Sequence, residues 1–204
     1  MKKFTGMILA LVICLLSSVA MAGNWDIPRK KTSTETSTQN STVRVKTKIV
    51  VDSIATRSGP SQKHTGCATM INMKDRNVVA LSRGTDTSGI CWIEIEVEYY
   101  SGAPRRCWVG AERLALSDEQ LDRLPPDYEY ALGEGVINQK VVSRMGPGAT
   151  YVVNKDYSYA KGDPVEVIAS DGDYYIVESY VNHPKTGEEL ILRSWVPAAC
   201  VTMK

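Results

Sequence analysis

"RSGP" at residues 57–60 and "RMGP" at residues 144–147 place Arg, Gly and Pro in one four-residue frame. A second pair of anchors, "WV" at Trp108-Val109 and at Trp195-Val196, keeps the same offset, since 144 − 57 = 87 and 195 − 108 = 87. The chain has only 4 Trp to place, so coincidence explains this poorly. Self-similarity at a fixed period marks a repeated module. The flanks agree: "VVDSIATRSGP" and "GVINQKVVSRMGP" each carry an alternating apolar run into the motif, and "WIEIEVEYY" and "YYIVESYV" each supply a strand-like run before the closing "WV". Within the motif, Gly59 and Gly146 can take a positive φ at no steric cost. Pro60 and Pro147 fix φ and withdraw a donor, so a loop begins there in both copies.

Outside the repeat, the chain opens with "MKKFTGMILALVICLLSSVAMAG". Lys2 and Lys3, the apolar run Met7 to Leu16 and the small-x-small site Ala20-Met21-Ala22 form the pattern of a secretory signal peptide over residues 1–22. The apolar run is shorter than the roughly 20 residues a membrane-crossing helix needs. Cleavage after Ala22 is expected, with export to the periplasm or the exterior and no membrane association afterwards. The mature chain then carries 24 − 2 = 22 basic and 23 acidic residues, a net charge of −1. That balance offers no long-range field for nucleic acid or an anionic membrane.

Residues 23–42, with "KKTSTETSTQNST", bury too little apolar area to offset chain entropy and read as a flexible tether, interrupted by Trp25. The first copy spans 43–116 with strands in "VRVKTKIVV", "VVALS", "WIEIEVEYY" and "RCWVGAERL". In "IEIEVE", Ile93, Ile95 and Val97 face one way and Glu94, Glu96 and Glu98 the other, a period of two. That acidic face reads as a solvated strand surface. Residues 88–109 read as a hairpin. The connector, 117–134, begins at Ser117 with Gln120 three residues on, the spacing of a capping box, and Pro125-Pro126 stops whatever helix forms there. The second copy spans 135–204, with strands expected near 136–142, 164–169, 173–181, 189–196 and 199–203. The expected fold is all-β: two small barrels in tandem, joined by a short, partly helical connector.

Domains of this size bury proportionately little surface, so extra fastening is expected. Besides Cys14 of the leader, Cys67, Cys91, Cys107 and Cys200 remain, an even number in an exported chain, which reads as two disulfides. Three fall in the first copy, so complete pairing requires a bond between copies or between chains; one bond with two free thiols is the alternative. A hairpin centred near Ser101-Gly102 sets Cys107 opposite a residue near 96, which disfavours Cys91–Cys107 and makes Cys67 the better partner for one of them.

The ordered motifs resemble those of bacterial SH3-like domains. In that family an R-x-G-P segment is followed by a short apolar strand, a strand opening on an aromatic residue, and a closing Gly-Trp-Val. Here these are "RSGP", "VVALS", "CWIEI" and "CWVGAERL", then "RMGP", "VEVIAS", "YYIVE" and "SWVPAACV", with Cys107 and Ser194 in place of the usual Gly. The resemblance implies strongly bent SH3-like barrels in which this loop and the hairpin loops flank a surface groove.

Catalytic chemistry finds no support. His64 and His183 are the only histidines, and a strand spacing of three sets His64 and Cys67 on opposite faces, so a Cys nucleophile lacks its base. No Cys-x-x-Cys exists for zinc and no Gly-rich phosphate loop precedes a helix, so no metal, no cofactor and no enzyme activity are expected. What remains is aromatic surface, rich in the second copy, where Tyr offers a rigid apolar body with a polar tip. The candidate groove residues are Arg57 and Trp108 of the first copy and Arg144, Tyr151, Tyr157, Tyr159, Tyr174 and Trp195 of the second. Arg144 could hold a ligand carboxylate in a bidentate pair, or Asp156 or Asp163 of its own chain. Tyr151 stands where the first copy has His64. Two functions are open: a non-catalytic module binding a cell-envelope ligand, which the resemblance implies is a cell-wall peptide, a peptidoglycan-type ligand or an envelope protein, or a structural and assembly protein whose grooves are filled by its own connector or a partner.

Overall fold

Period-two alternation does become strand. The computed structural model describes residues 43–98, 102–128, 131–183 and 185–204. The signal-like leader, the Ser/Thr-rich tether and Trp25 lie outside the described residues. In β1 (Val45–Lys48) Val45 and Thr47 are buried while Lys46 and Lys48 are exposed, the pattern that alternate Cβ directions dictate. The first sheet adds β2 (Ile54–Arg57), β3 (Gly66–Met70), β4 (Asn77–Thr85), β5 (Cys91–Glu98) and β6 (Pro104–Gly110), in the spatial order β1-β4-β5-β6-β2-β3. The second comprises β7 (Gly133–Ile137), β8 (Val141–Arg144), β9 (Val153–Tyr159), β10 (Pro164–Asp171), β11 (Tyr174–Asn182), β12 (Glu189–Pro197) and β13 (Val201–Met203), ordered β13-β7-β10-β11-β12-β8-β9. All pairings between these strands are antiparallel.

The repeat is visible in the ladders. In both sheets the strand carrying R-x-G-P pairs with the strand carrying Trp-Val, Arg57 opposite Trp108 and Arg144 opposite Trp195. The register slips between Ala80 and Ser82 in β4–β5, and between Val167 and Ala169 in β10–β11. The skipped residues, Leu81 and Ile168, are again 168 − 81 = 87 apart. Bulges bend a strand and raise its twist, so the same sheet curl is encoded at the same place twice. Each module has its own core, built on Ile93, Ile95 and Val109 in the first and Val167, Val177 and Val196 in the second.

Several boundaries differ from expectation. The single strand expected near 136–142 is two strands, because the chain turns between Ile137 and Val141. Strands β3 and β9 follow the R-x-G-P loops at the sheet edges, and neither shows buried–exposed alternation. The connector forms α1 (Asp118–Arg123), whose capping box is made: Ser117 accepts from the Gln120 N–H and the Gln120 side chain accepts from the Ser117 N–H. Beyond it, Leu124 is buried in the first core, while Tyr128 and Ala131 pack with Ile168, Ile176 and Trp195 of the second module. All four described cysteines are free thiols, so the two disulfides expected from the even count are not formed. Cys107 stands opposite Ile95 in the hairpin, too far along the strand to meet Cys91. Burial pushes the Cys67 thiol up to about 12 and raises Cys107 as well, which leaves both poor nucleophiles.

Candidate functional site: the seam between the modules

The two R-x-G-P loops do not face solvent side by side; each is docked on the other module's closing hairpin. The first loop lies along β12: the Thr65 N–H donates to the Ile191 carbonyl at 2.8 Å, the Ile191 N–H to the Lys63 carbonyl at 2.9 Å, and the Arg193 N–H to Ser58 Oγ at 3.3 Å. The second loop lies along β6: the Val152 N–H donates to the Pro104 carbonyl at 3.1 Å and the Arg106 N–H to the Met145 carbonyl at 2.6 Å. Thr65 and Val152 are 87 apart, as are Arg106 and Arg193, and Ser58 and Met145. The modules therefore meet about a pseudo-two-fold axis, the isologous geometry of a symmetric dimer made within one chain.

Side chains repeat this reciprocity. His64 Nε2 lies 3.3 Å from Glu178 Oε1, and at the equivalent place Tyr151 OH donates to Glu96 Oε2 at 2.5 Å. Arg193 Nε donates to Glu178 at 2.7 Å, while Arg106 Nε lies at 3.5 Å from Glu96. The guanidiniums are also crossed over the aromatic anchors, Arg193 over Trp108 at 5.7 Å and Arg106 over Trp195 at 5.4 Å from the ring centroids, within cation–π range. Further carboxylates close each cluster: Asp127 of the connector takes two bonds from Arg193 Nη1 at 2.8 and 3.0 Å, and Asp171 lies 3.4 Å from Arg106 Nη1. Arg44 binds the remaining side of Glu96.

The motif glycine has a second reason to be glycine. A Cβ built on Gly59 would come within 2.1 Å of the His64 ring, and one on Gly146 within 1.9 Å of the Tyr151 ring. Each ring lies flat on its glycine and is thereby aimed across the seam. Gly146 also holds φ +157, where an L side chain is strained. The loop arginine serves the same loop: Arg57 Nη1 donates to the His64 carbonyl at 3.1 Å, and Arg144 Nη1 to the carbonyls of Ala149 at 3.0 Å and Tyr151 at 2.9 Å. Arg144 is thus a loop staple, bonded neither to Asp156 nor to Asp163.

Electrostatics follow from this burial. For Glu178 burial alone would raise the carboxyl, but the Arg193 charge and the His64 bond outweigh it and hold the group at about 2. Burial lowers His64 against the opposing pull of Glu178. Arg193 is raised despite burial, through Asp127 and Glu178. Of the "IEIEVE" face, expected to be solvated, Glu98 is exposed but Glu94 is 7% exposed and Glu96 is tied to three partners. The alternation is right; what covers the second face is the other module.

The sequence-derived groove residues separate into three groups. Trp108 and Trp195 are buried at the seam, and Arg57, Arg144 and Tyr151 build the docked loops. Tyr159 is 4% exposed within the second core, its hydroxyl 3.0 Å from Ser194 Oγ and 3.3 Å from Ser179 Oγ, so it cannot line an open groove. Tyr157 rests on the same core and Tyr174 on the connector-facing cluster, both half-buried. His64, Glu96, Arg106, Glu178 and Arg193 were not singled out for the site by the sequence, although the 87-residue offset of Arg106 and Arg193 was there to be found. A narrow cavity lies on the pseudo-axis, lined by equivalent pairs such as Cys67 with Asn154, Trp108 with Trp195, and Glu94 with Ile176. Among the described residues no cluster of three His, Cys, Asp or Glu side chains could hold a metal ion, and no helix is long and apolar enough to cross a membrane. No family model matches the chain, and no curated protein matches it.

Proposed function

We propose that this chain is an exported, non-catalytic structural or assembly protein of the cell envelope, built from two SH3-like barrels locked together so that each occupies the other's R-x-G-P face. The observation that carries this reading is the reciprocal docking of the two loops, residues 58–65 on β12 and 145–152 on β6, with His64–Glu178 and Tyr151–Glu96 as its matched pins. A face already holding backbone bonds, two guanidiniums and two indoles has little left for a peptide. The connector adds to the closure, since the Arg83 N–H donates to the Pro125 carbonyl at 2.9 Å and Asp127 binds Arg193. The protein then presents its outer surfaces to an envelope protein as one fixed body, which suits a spacer or adaptor better than a pair of independent ligand clamps.

Retention on purified cell-wall material separates this from the ligand-binding reading. The intact chain is expected to pass through, as is its Tyr157→Ala variant. Retention of the intact chain, reduced when Tyr157 or Tyr174 is replaced by Ala at unchanged melting temperature, would make it a wall-binding module instead.

A further inference from the structure

Among the seam carboxylates Glu94 stands apart. Its side chain is enclosed on the pseudo-axis, 7% exposed, and its bonded partner is a neutral one, the Ser82 hydroxyl donating to Oε2 at 3.0 Å. The position itself does not demand an acid: Glu94 stands opposite Trp108 in its hairpin, and the residue opposite Trp195 is Ile176. Around it lie Arg106 of β6, Arg193 of β12, Asp127 and Tyr128 of the connector, Cys107 of the next strand and Glu96 of its own strand. The two cations are already committed, Arg106 to Glu96 and Asp171, Arg193 to Asp127 and Glu178. Arg144 lines the same cavity, bonded to the carbonyls of Ala149 and Tyr151; with it and Arg44, four guanidiniums face four carboxylates before Glu94 is counted. A further negative charge in this enclosed space would have to share Arg106 and Arg193, each already facing two carboxylates, and a buried charge so weakly compensated is costlier than a neutral carboxylic acid.

We propose that Glu94 makes the seam a pH-sensitive latch: as a neutral acid it lets the modules close, and its ionisation drives the R-x-G-P loops off their hairpins. Burial raises Glu94 above the ordinary carboxyl value of 4.5, with Asp127 pushing the same way and Arg106 and Arg193 opposing. The raised carboxyl fixes the sign. Glu94's contribution to closure is fully present below the ordinary carboxyl value and is lost as pH rises toward the value in the closed form. Within that window the opening equilibrium gains up to about tenfold per pH unit. The latch concerns the seam itself and holds whether the closed protein is an adaptor or a masked binding module.

Amide hydrogen exchange on the full chain, corrected for the intrinsic pH dependence of exchange, reads this directly between pH 4.5 and 8. The seam amides are those of Thr65, Arg106, Val152 and Ile191, with Ile95 and Val177 as core references. The wild-type seam is expected to open progressively relative to the core as pH rises, while Glu94→Gln and Glu94→Ile lack that rise. His64 titrates in all three proteins, so the difference between profiles belongs to Glu94. Superimposable profiles for wild type and Glu94→Gln would overturn the proposal. So would a Glu94→Gln or Glu94→Ile seam that opens more readily than wild type at pH 7, since charged Glu94 would then be holding the seam closed.

Discussion

At Gly59 and Gly146 a missing side chain does two things: it permits the turn, and it gives an aromatic ring a floor to lie on. Replacing either by Ala puts a methyl group inside the ring's volume, so the ring must swing away and release Glu178 or Glu96. Gly146→Ala is expected to cost more than Gly59→Ala, because Gly146 alone of the two also holds a positive φ, and such strain is worth about 1–3 kcal/mol. Thermal unfolding of the two variants checks the order; equal losses would mean that the ring contact, not the backbone, governs both. Tyr159 makes a complementary case. Tyr159→Phe removes a hydroxyl bonded to Ser194 and Ser179 inside the second core, and is expected to cost about 1 kcal/mol while leaving seam exchange unchanged. A ligand-lining role would leave the melting temperature where it was.

Among the strands, what could be read from sequence depended on where each strand's second face ends up. Ile93, Ile95 and Val97 were legible as core because alternation reports the local inside directly. The fate of Glu94 and Glu96 was not, since period two says only that these residues avoid their own module's core. Strands β3 and β9 escaped notice for a different reason: they are edge strands with mixed burial, so neither a continuous apolar run nor alternation announces them. The loops were found by Gly and Pro, but their docking partner lies 114 residues away at the His64–Glu178 contact, beyond any local pattern. The β11–β12 hairpin carries a pH prediction. Glu178 is held at about 2 against an ordinary 4.5, so its contribution is complete above 4.5 and is lost as pH falls toward 2. Seam opening should therefore rise on acidification below 4.5 in the wild type and be blunted in Glu178→Gln; an unchanged acid limb in that variant would assign the loss to other carboxylates. Arg193→Met strands Glu178 and Asp127 without their shared cation, and should destabilise the fold by about 3–5 kcal/mol in chemical denaturation.

For the molecule as a whole, the repeat has become a dimer within one chain. Two modules whose loops each cover the other's hairpin, with a connector fastened to both, are expected to move as one body and to unfold together. The anchors that revealed the repeat, Arg57 and Arg144, Gly59 and Gly146, Trp108 and Trp195, are the parts that build this seam. In sequence they looked like the rim of an open groove because a face used between modules and a face used for a ligand need the same residue types, aromatic anchors and arginine. The measurement that tests the mutual docking most directly is backbone nitrogen-15 relaxation of the intact protein at pH 4.5, where the Glu94 and Glu178 contributions both favour the closed seam. The account predicts that residues 43–98 and 131–183 share one rotational correlation time and one diffusion tensor; two distinct, shorter correlation times would mean that the R-x-G-P faces are free and the seam is not the resting state.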